Sequence, residues 1–398
     1  MSTANEAFII AGARTPIGKF LGALQTIPAT ELGAIAIREV LQRADVSPER
    51  VDEVIMGNVL SAGVGQAPAR QAALNAGLPA TVPAVTVNKV CGSGLKAVML
   101  AAQAVRLGDA KIVVAGGMES MSQAPHLLLG SRNGYKLGKI ELDDSLLLDG
   151  LWCAFEDCHM GQHAEHTART FGVSRDDQDR FALESQQRAQ AAVEQRLLDA
   201  EMAPVIVKHR RGETVINTDE GPRPETDLAS LSNLKPAFDP QGTVTAGNAS
   251  MLSDGAAAVV VTDAETARKS SSSWKARIVA YHTSGVEPRD LFIAPVHAVR
   301  DVLRKAGLTA ADIDLFEINE AFASQMVACI KELQLDPARV NVHGGAIALG
   351  HPIGASGTRV LVTLLSALKQ RGLCRGLASL CLGGGNAVAM IIDREGEA

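Results

Sequence analysis

The sequence predicts an α/β protein of two βαβ-rich, doubly wound halves, and three observations predict it. The first is composition. Of the 398 residues 46% are hydrophobic, 37 are Gly and only 3% are aromatic, so the interior must be packed by Ala, Val, Leu and Ile, the residues of buried strands and their covering helices. The second is rhythm. Residues 51–56, 85–90 and 111–115 read as strands, and 95–107 as a helix with Leu95, Val98, Met99, Ala102 and Val105 on one face. The third is recurrence. V-S-P-E-R-V-D-E-V-I-M-G-N from Val46 resembles L-T-A-A-D-I-D-L-F-E-I-N-E from Leu308, each a polar lead, a strand and an Asn near its exit; V-V-A-G-G from Val113 resembles L-C-L-G-G from Leu380.

Between the halves, residues from about 122 to 246 lose the rhythm and carry turn-rich, charged sequence. They read as a large inserted loop region, and the Ser run at 270–273 marks the join to the second half. The expected division is 1–121 with 247–272 as the N-terminal half, 122–246 as the loop domain and 273–398 as the C-terminal half.

A net charge of −6 offers no basic face for phosphates, which excludes a general nucleic-acid binder and leaves any anionic small ligand to local cations. No uninterrupted apolar run approaches the roughly eighteen residues of a membrane span. The first residues show no leader and the last five no peroxisomal or lipidation signal, so the expectation is a cytoplasmic protein with no membrane partner. Six cysteines, at 91, 153, 158, 329, 374 and 381, include no C-x-x-C pair and are expected to be reduced.

Chemistry concentrates at four places. Cys91 stands where an apolar strand runs into Gly92-Ser-Gly94 and a helix. At a helix N-terminus, unpaired N–H groups favour a thiolate, and glycines let a carbonyl approach the backbone; a lone cysteine there is more often a buried structural thiol. His351 lies in a glycine-dense segment, 341–357, that holds an imidazole rigidly at an exposed site or satisfies it with backbone. Cys381 leaves a strand into three glycines, a second reactive thiol. Asn319, at another strand exit, offers an amide to orient water, with Glu320 beside it.

These residues and their flanks resemble the thiolase family, closest to its acetoacetyl-CoA, biosynthetic branch. The likeness spans essentially the whole chain: N-K-V-C-G-S-G-L-K around Cys91, H-M-G from His159, T-A-G-N-A-S from Thr245, N-E-A-F-A from Asn319, G-G-A-I-A-L-G-H-P-I-G-A-S-G from Gly344 and C-L-G-G-G-N from Cys381. It implies a duplicated thiolase fold in α-β-α-β-α layers with the inserted loop domain. It implies an acyltransferase that condenses two acetyl-CoA to acetoacetyl-CoA plus CoA, or reverses that by thiolysis, through a ping-pong route. Cys91 would carry the acyl group, His351 would activate it and Cys381 would be the acid and base. One oxyanion site would use His351 and a water on Asn319; the other would use the N–H groups of Cys91 and Gly383. By the same likeness, coenzyme A as substrate would contact Leu151, His159, Met160, Arg223, Ser230, Ala246, Ser250, Leu252, Ala321 and Phe322. No tightly bound cofactor or metal is implied, and the chain would form dimers or dimers of dimers.

Three departures bear on the substrate: Asp149-Gly-Leu-Trp-Cys153 for D-G-L-T-D, Met251 for Gly, and Leu291-Phe-Ile-Ala294 for a Met-Gly-rich stretch. They keep open a 3-ketoacyl-CoA thiolase of longer-chain fatty acid oxidation. His159, His163 and His166, at i, i+4 and i+7, imitate a zinc site if helical, but H-M-G already has a role in the family and the chemistry needs no metal.

Overall fold

The computed structural model describes residues 6–210 and 212–394; the readings made from the first five and the last four residues lie outside the described residues. The sheet contains β1 (Ala7–Arg14), β2 (Glu53–Gly57), β3 (Ala84–Val87), β4 (Ile112–Ser120), β5 (Ser253–Asp263), β6 (Ala276–Gly285), β7 (Leu315–Ile318), β8 (Arg375–Leu382) and β9 (Asn386–Arg394). Their order is β7-β8-β9-β6-β1-β5-β4-β2-β3, with Gly18–Lys19 as a short tenth strand on β5. Among the described residues the two halves of this sheet pair where Phe8 and Ile9 meet Arg277 and Ala276.

The α-helices of eight residues or more are α1 (Ala29–Ala44), α2 (Pro68–Asn75), α3 (Ser93–Leu107), α4 (Met160–Phe171), α5 (Arg175–Glu194), α6 (Ala294–Ala306), α7 (Ala323–Leu333) and α8 (Ile353–Gln370). In each half a parallel strand pair brackets one central helix: α3 falls between β2 and β4, and α8 between β7 and β8. Successive strand residues point to opposite faces, so each strand feeds two cores. In β5, Ala256, Ala258 and Val260 join the cluster under α1 and α2, while Val259 and Val261 join the one around α3 and α8. In β9, Val388, Met390 and Ile392 enter that same central cluster, and Ala387, Ala389 and Ile391 pack under α6. The result is helix, sheet, helix, sheet, helix. Residues Val90–Leu107 are long and apolar enough to cross a membrane, yet α3 is the central helical layer, buried on several sides.

The first internal likeness has a structural counterpart, and the second is out of register. Gly57, just before Asn58, pairs with Gly117, whereas Ile318, just before Asn319, pairs with Ser379. Gly116-Gly117 therefore corresponds to Ala378-Ser379, and the glycines from Gly383 lie beyond β8. The region after Ser120 also has more order than its polar sequence suggests. Helices α4 and α5 occupy 12 and 20 residues of it, and α5 opens with a reciprocal Ser174–Asp177 capping box, a local signal that was present in the sequence. Arg14 of β1, fully buried, ties this region down by donating to both carboxylate oxygens of Asp219 (2.7 and 2.9 Å) and to Glu201.

The glycine density of 341–357 serves packing as well as the site. A Cβ on Gly357 would lie 2.3 Å from the Leu95 nitrogen, and one on Gly117 would lie 2.0 Å from the Gly354 carbonyl, so α8 touches both α3 and β4 through glycine. Gly357→Ala should lower the unfolding free energy by about 3 kcal/mol, measured by urea titration. Gly285→Ala, whose nearest neighbour would be 3.9 Å away, should leave it nearly unchanged.

Candidate active site

Strand β3 ends at Val87, three residues before the sequence suggested, and a tight elbow delivers Cys91. Asn88 Oδ1 accepts from the Val90 N–H (3.0 Å), the Lys89 N–H donates to Ser93 Oγ (2.8 Å), and the Ser93 hydroxyl donates to the Val90 carbonyl (2.6 Å). Val90 is held at φ 46°, a left-handed conformation that a β-branched residue adopts at a cost of about 1–3 kcal/mol. Gly92 follows because a Cβ there would sit 2.4 Å from the Leu382 side chain.

Cys91, His351, Cys381 and Gly383 line one cavity of about 390 Å³, together with Leu151, His159, Met160, Arg223, Ala246, Ser250, Leu252, Ala321 and Phe322. Two expected residues are not on its wall. Ser230 is exposed and turned into a local cap, where its hydroxyl donates to the Asp227 carbonyl and its oxygen accepts the Asp227 N–H. Asn319 lies behind His351, with its amide nitrogen 3.4 Å from Nε2, so the amide expected to orient water is directed at the imidazole. Glu320, read as its chemical neighbour, is a structural group that accepts from Ser185, Asn341 and the Ile347 N–H.

The imidazole is buried, not exposed. Its Nδ1 is 2.6 Å from Ser356 Oγ, whose hydrogen goes to the Pro352 carbonyl (2.9 Å); Ser356 must then accept, which places the ring hydrogen on Nδ1 and the lone pair on Nε2. Burial, reinforced by the Arg359 charge, lowers the His351 pKa to about 3. Arg359 is held by Glu317 at 3.0 Å.

The expectation of a thiolate at the helix N-terminus is corrected. Burial pushes the Cys91 thiol up to about 12, and the Glu119 charge adds to this, although the N–H groups of Cys91 and Gly383 both point at the sulfur and act in the opposite sense. Desolvation outweighs a helix end here although the thiol, set in the cavity wall, is only half-buried. Cys381 is likewise raised, by burial first and then by Cys91. The resting site therefore holds two neutral thiols and a neutral imidazole.

Sequence reasoning missed Glu119, which carries no motif. Its oxygens accept from Asn58 Nδ2 (2.8 Å), the N–H groups of Val59 (3.1 Å) and Leu60 (3.2 Å), and the Gly354 N–H (2.9 Å) at the start of α8. Burial still pushes its carboxyl up to about 7. Phe238 was also missed, the residue that joins the already named His159, Phe322 and Phe292 into an aromatic wall. Phe238 stacks on His159 at 4.6 Å and meets Phe322 edge-on at 6.1 Å, and Phe322 meets Phe292 edge-on at 5.1 Å. Phe292 and Met251 line the cavity; Trp152 lines a neighbouring one and donates to Asp157 (2.9 Å).

The three histidines have separate partners. His159 accepts the Gly161 N–H as the cap of α4, His163 lies against Cys158, and His166 pairs with Asp290. Among the described residues, no group of three or more His, Cys, Asp or Glu side chains is arranged to hold a metal ion.

Residues 7–265 match the family described as "Thiolase, N-terminal domain" and residues 272–394 match "Thiolase, C-terminal domain". An acetyl-CoA acetyltransferase of Cupriavidus necator is 54% identical over 391 residues, covering 98% of this chain and all of that protein. A mouse protein named "Acetyl-CoA acetyltransferase, cytosolic" is 52% identical over 388 residues, 97% of this chain and 98% of its own. The crystal structure of the Bacillus anthracis acetyl-CoA acetyltransferase superposes with a TM-score of 0.97 at 41% identity, over 99% of this chain and 100% of that one.

Two outcomes follow from the geometry. Glu119→Gln sets an amide NH2 against converging donors; it should cost about 1–3 kcal/mol in urea unfolding and slow acylation of Cys91. With His351 neutral above about pH 3 and Cys91 neutral below about 12, the reacting protonation state persists across the neutral range. Alkylation of Cys91 by iodoacetamide, followed in the Glu119→Gln variant so that the carboxyl titrating at about 7 is absent, should then show no limb at the ordinary imidazole pKa of about 6.5; a clear limb there would contradict the neutral pair.

Proposed function

The chain belongs to the thiolase family, and we propose that within it this protein is an acetyl-CoA C-acetyltransferase, condensing two acetyl-CoA to acetoacetyl-CoA plus CoA and catalysing the thiolytic reverse. The observation that carries this is the convergence of two thiols and a base-ready imidazole on one cavity whose wall is aromatic and apolar. The names of the relatives that cover nearly the whole chain support the same reaction.

In the first half-reaction, Nε2 of His351 takes the Cys91 proton as the sulfur attacks the thioester carbonyl. The developing oxyanion accepts from the N–H groups of Cys91 and Gly383, each worth about 3–4 kcal/mol when aimed at the transition state. CoA departs with the proton. In the second, Nε2 of His351 takes the Cys381 proton as the sulfur removes an α-proton from a second acetyl-CoA, and the enolate oxygen is stabilised by the His351 N–H and a water on Asn319. The carbanion then attacks acetyl-Cys91 and breaks its C–S bond, and the departing Cys91 sulfur takes back a proton from His351. A neutral, buried site suits this sequence, since no charge need be stripped of solvent before substrate arrives and each charge forms only in contact with its donor.

In this reading the loop domain, 122–246, supplies much of the coenzyme A site through Leu151, His159, Met160 and Arg223, and Ser230 reaches the ligand only after its cap opens. The two remaining segments, 1–121 with 247–272 and 273–398, bring Cys91 and the group Asn319, His351 and Cys381. The protein acts as a cytoplasmic homo-oligomer, a location supported by the mouse relative's name. Phe292, buried against Phe322, favours a two-carbon acyl group over the longer chains of a degradative 3-ketoacyl-CoA thiolase.

Thiolysis rates are expected to fall from acetoacetyl-CoA to ketohexanoyl-CoA and further to ketodecanoyl-CoA; preference for the longest substrate would sink the acetyl assignment. Cys91→Ser should abolish acyl-enzyme formation. Cys381→Ser should still be acylated by acetyl-CoA while losing at least about 100-fold in overall condensation, as read by intact mass and by turnover.

A further inference from the structure

Two cysteines outside the catalytic set oppose each other. Trp152–Cys153 and Cys158–His159 form a two-stranded antiparallel hairpin in which Cys153 pairs with Cys158, and Trp152 with His159. Both thiols are free. Directly opposed residues of an antiparallel pair have Cα atoms about 4.5–5.5 Å apart, inside the disulfide range, and Cβ atoms within about 1 Å of the separation a disulfide needs. The hairpin turn between them holds Asp157 at φ 48° and is braced by the Trp152–Asp157 hydrogen bond, so the opposition of the two thiols is built in.

The thiols differ in environment. Cys153 is buried among Met160, Phe292 and Phe322. Cys158 is half-buried and lines a second cavity with Glu156, His163, Arg169 and Arg289, separate from the catalytic one. Its sulfur is 3.4 Å from His163 Nε2. His163 also makes a hydrogen bond to the Arg289 backbone, and its pKa is lowered by burial. Nε2 is the ring nitrogen that faces the thiol, and burial favours the neutral ring that can accept its proton.

We propose that Cys153 and Cys158 are a non-catalytic dithiol site that a hydroperoxide converts to a disulfide, with Cys158 attacking, His163 as its base and Cys153 resolving. Burial first, then Cys153, Glu156 and Asp157, push the Cys158 thiol up, so it ionises only as His163 takes its proton; the two acids also disfavour an anionic oxidant, whereas a hydroperoxide is small and neutral. His163 takes the Cys158 proton, and the sulfur attacks the peroxide, breaking the O–O bond. With hydrogen peroxide this leaves Cys158 sulfenic acid, the proton on His163 passing to the departing oxygen as water. The Cys153 sulfur then displaces the sulfenic oxygen, which leaves with the Cys153 proton as a second water. Two thiols lose two electrons in all, and the peroxide gains them. The pair lies next to His159 and Met160 on the catalytic wall, so closing it acts on that wall.

The test uses hydrogen peroxide on the full-length protein, alkylation of the remaining thiols and non-reducing trypsin digestion, which releases residues 140–169 with both cysteines in one peptide. The expected peptide is lighter by two hydrogens, takes up no alkylating reagent and is restored by dithiothreitol. Cys153→Ser should leave a Cys158 sulfenic acid that dimedone captures, and His163→Gln should slow oxidation of Cys158 by at least about tenfold. The proposal is overturned if both cysteines are still alkylated once exposed Cys374 has been oxidised, if either is found joined to Cys91 or Cys381, or if His163→Gln leaves the rate unchanged. The wild-type measurement needs no variant to fold.

Discussion

The carboxylate of Glu119 holds together the parts that the site requires. It leaves β4 and gathers four donors: the Asn58 amide and two N–H groups after β2 from one half, and the Gly354 N–H from the other. Helix α8 begins there, directly after His351. A buried carboxylate is costly unless every lone pair is used, and here two donors meet each oxygen. The same group fixes the distance between the halves at the point where Cys91 and His351 must meet, and its charge helps keep the Cys91 thiol protonated.

Around this clamp the site stores cost in two forms. One is backbone strain at Val90, held by the Asn88 and Ser93 hydrogen bonds. The other is desolvation, which leaves thiols and imidazole neutral although two N–H donors already point at the Cys91 sulfur. Such donors are worth most in an enclosed, poorly solvated site and need not reorganise when charge forms. The packing that excludes water comes from glycine contacts between α3, α8 and β4, so the interior glycines belong to fold and chemistry at once.

The inserted region closes the cavity from a different direction. Arg14, buried with Asp219 and Glu201, anchors it to β1, and α4 presents His159 and Met160 beside the Phe238, Phe322 and Phe292 wall. Residues distant in the chain therefore set the shape of the cavity.

The sequence by itself determined the layered α/β class, because strand periodicity and a composition rich in small aliphatic residues are local properties. It also singled out Cys91, Asn319, His351 and Cys381 as candidates, because their flanking glycines and strand exits are contiguous in the chain. Only the tertiary structure decided the rest. Glu119 meets Gly354 across 235 positions, Phe238 joins the wall only because α4 folds beneath it, and Ser230 shows by its capping bonds that it lies off the cavity. The protonation state of Cys91 followed the same division: the strand-to-helix turn, visible in sequence, favours a thiolate, but burial is a property of the whole packed molecule and it prevails.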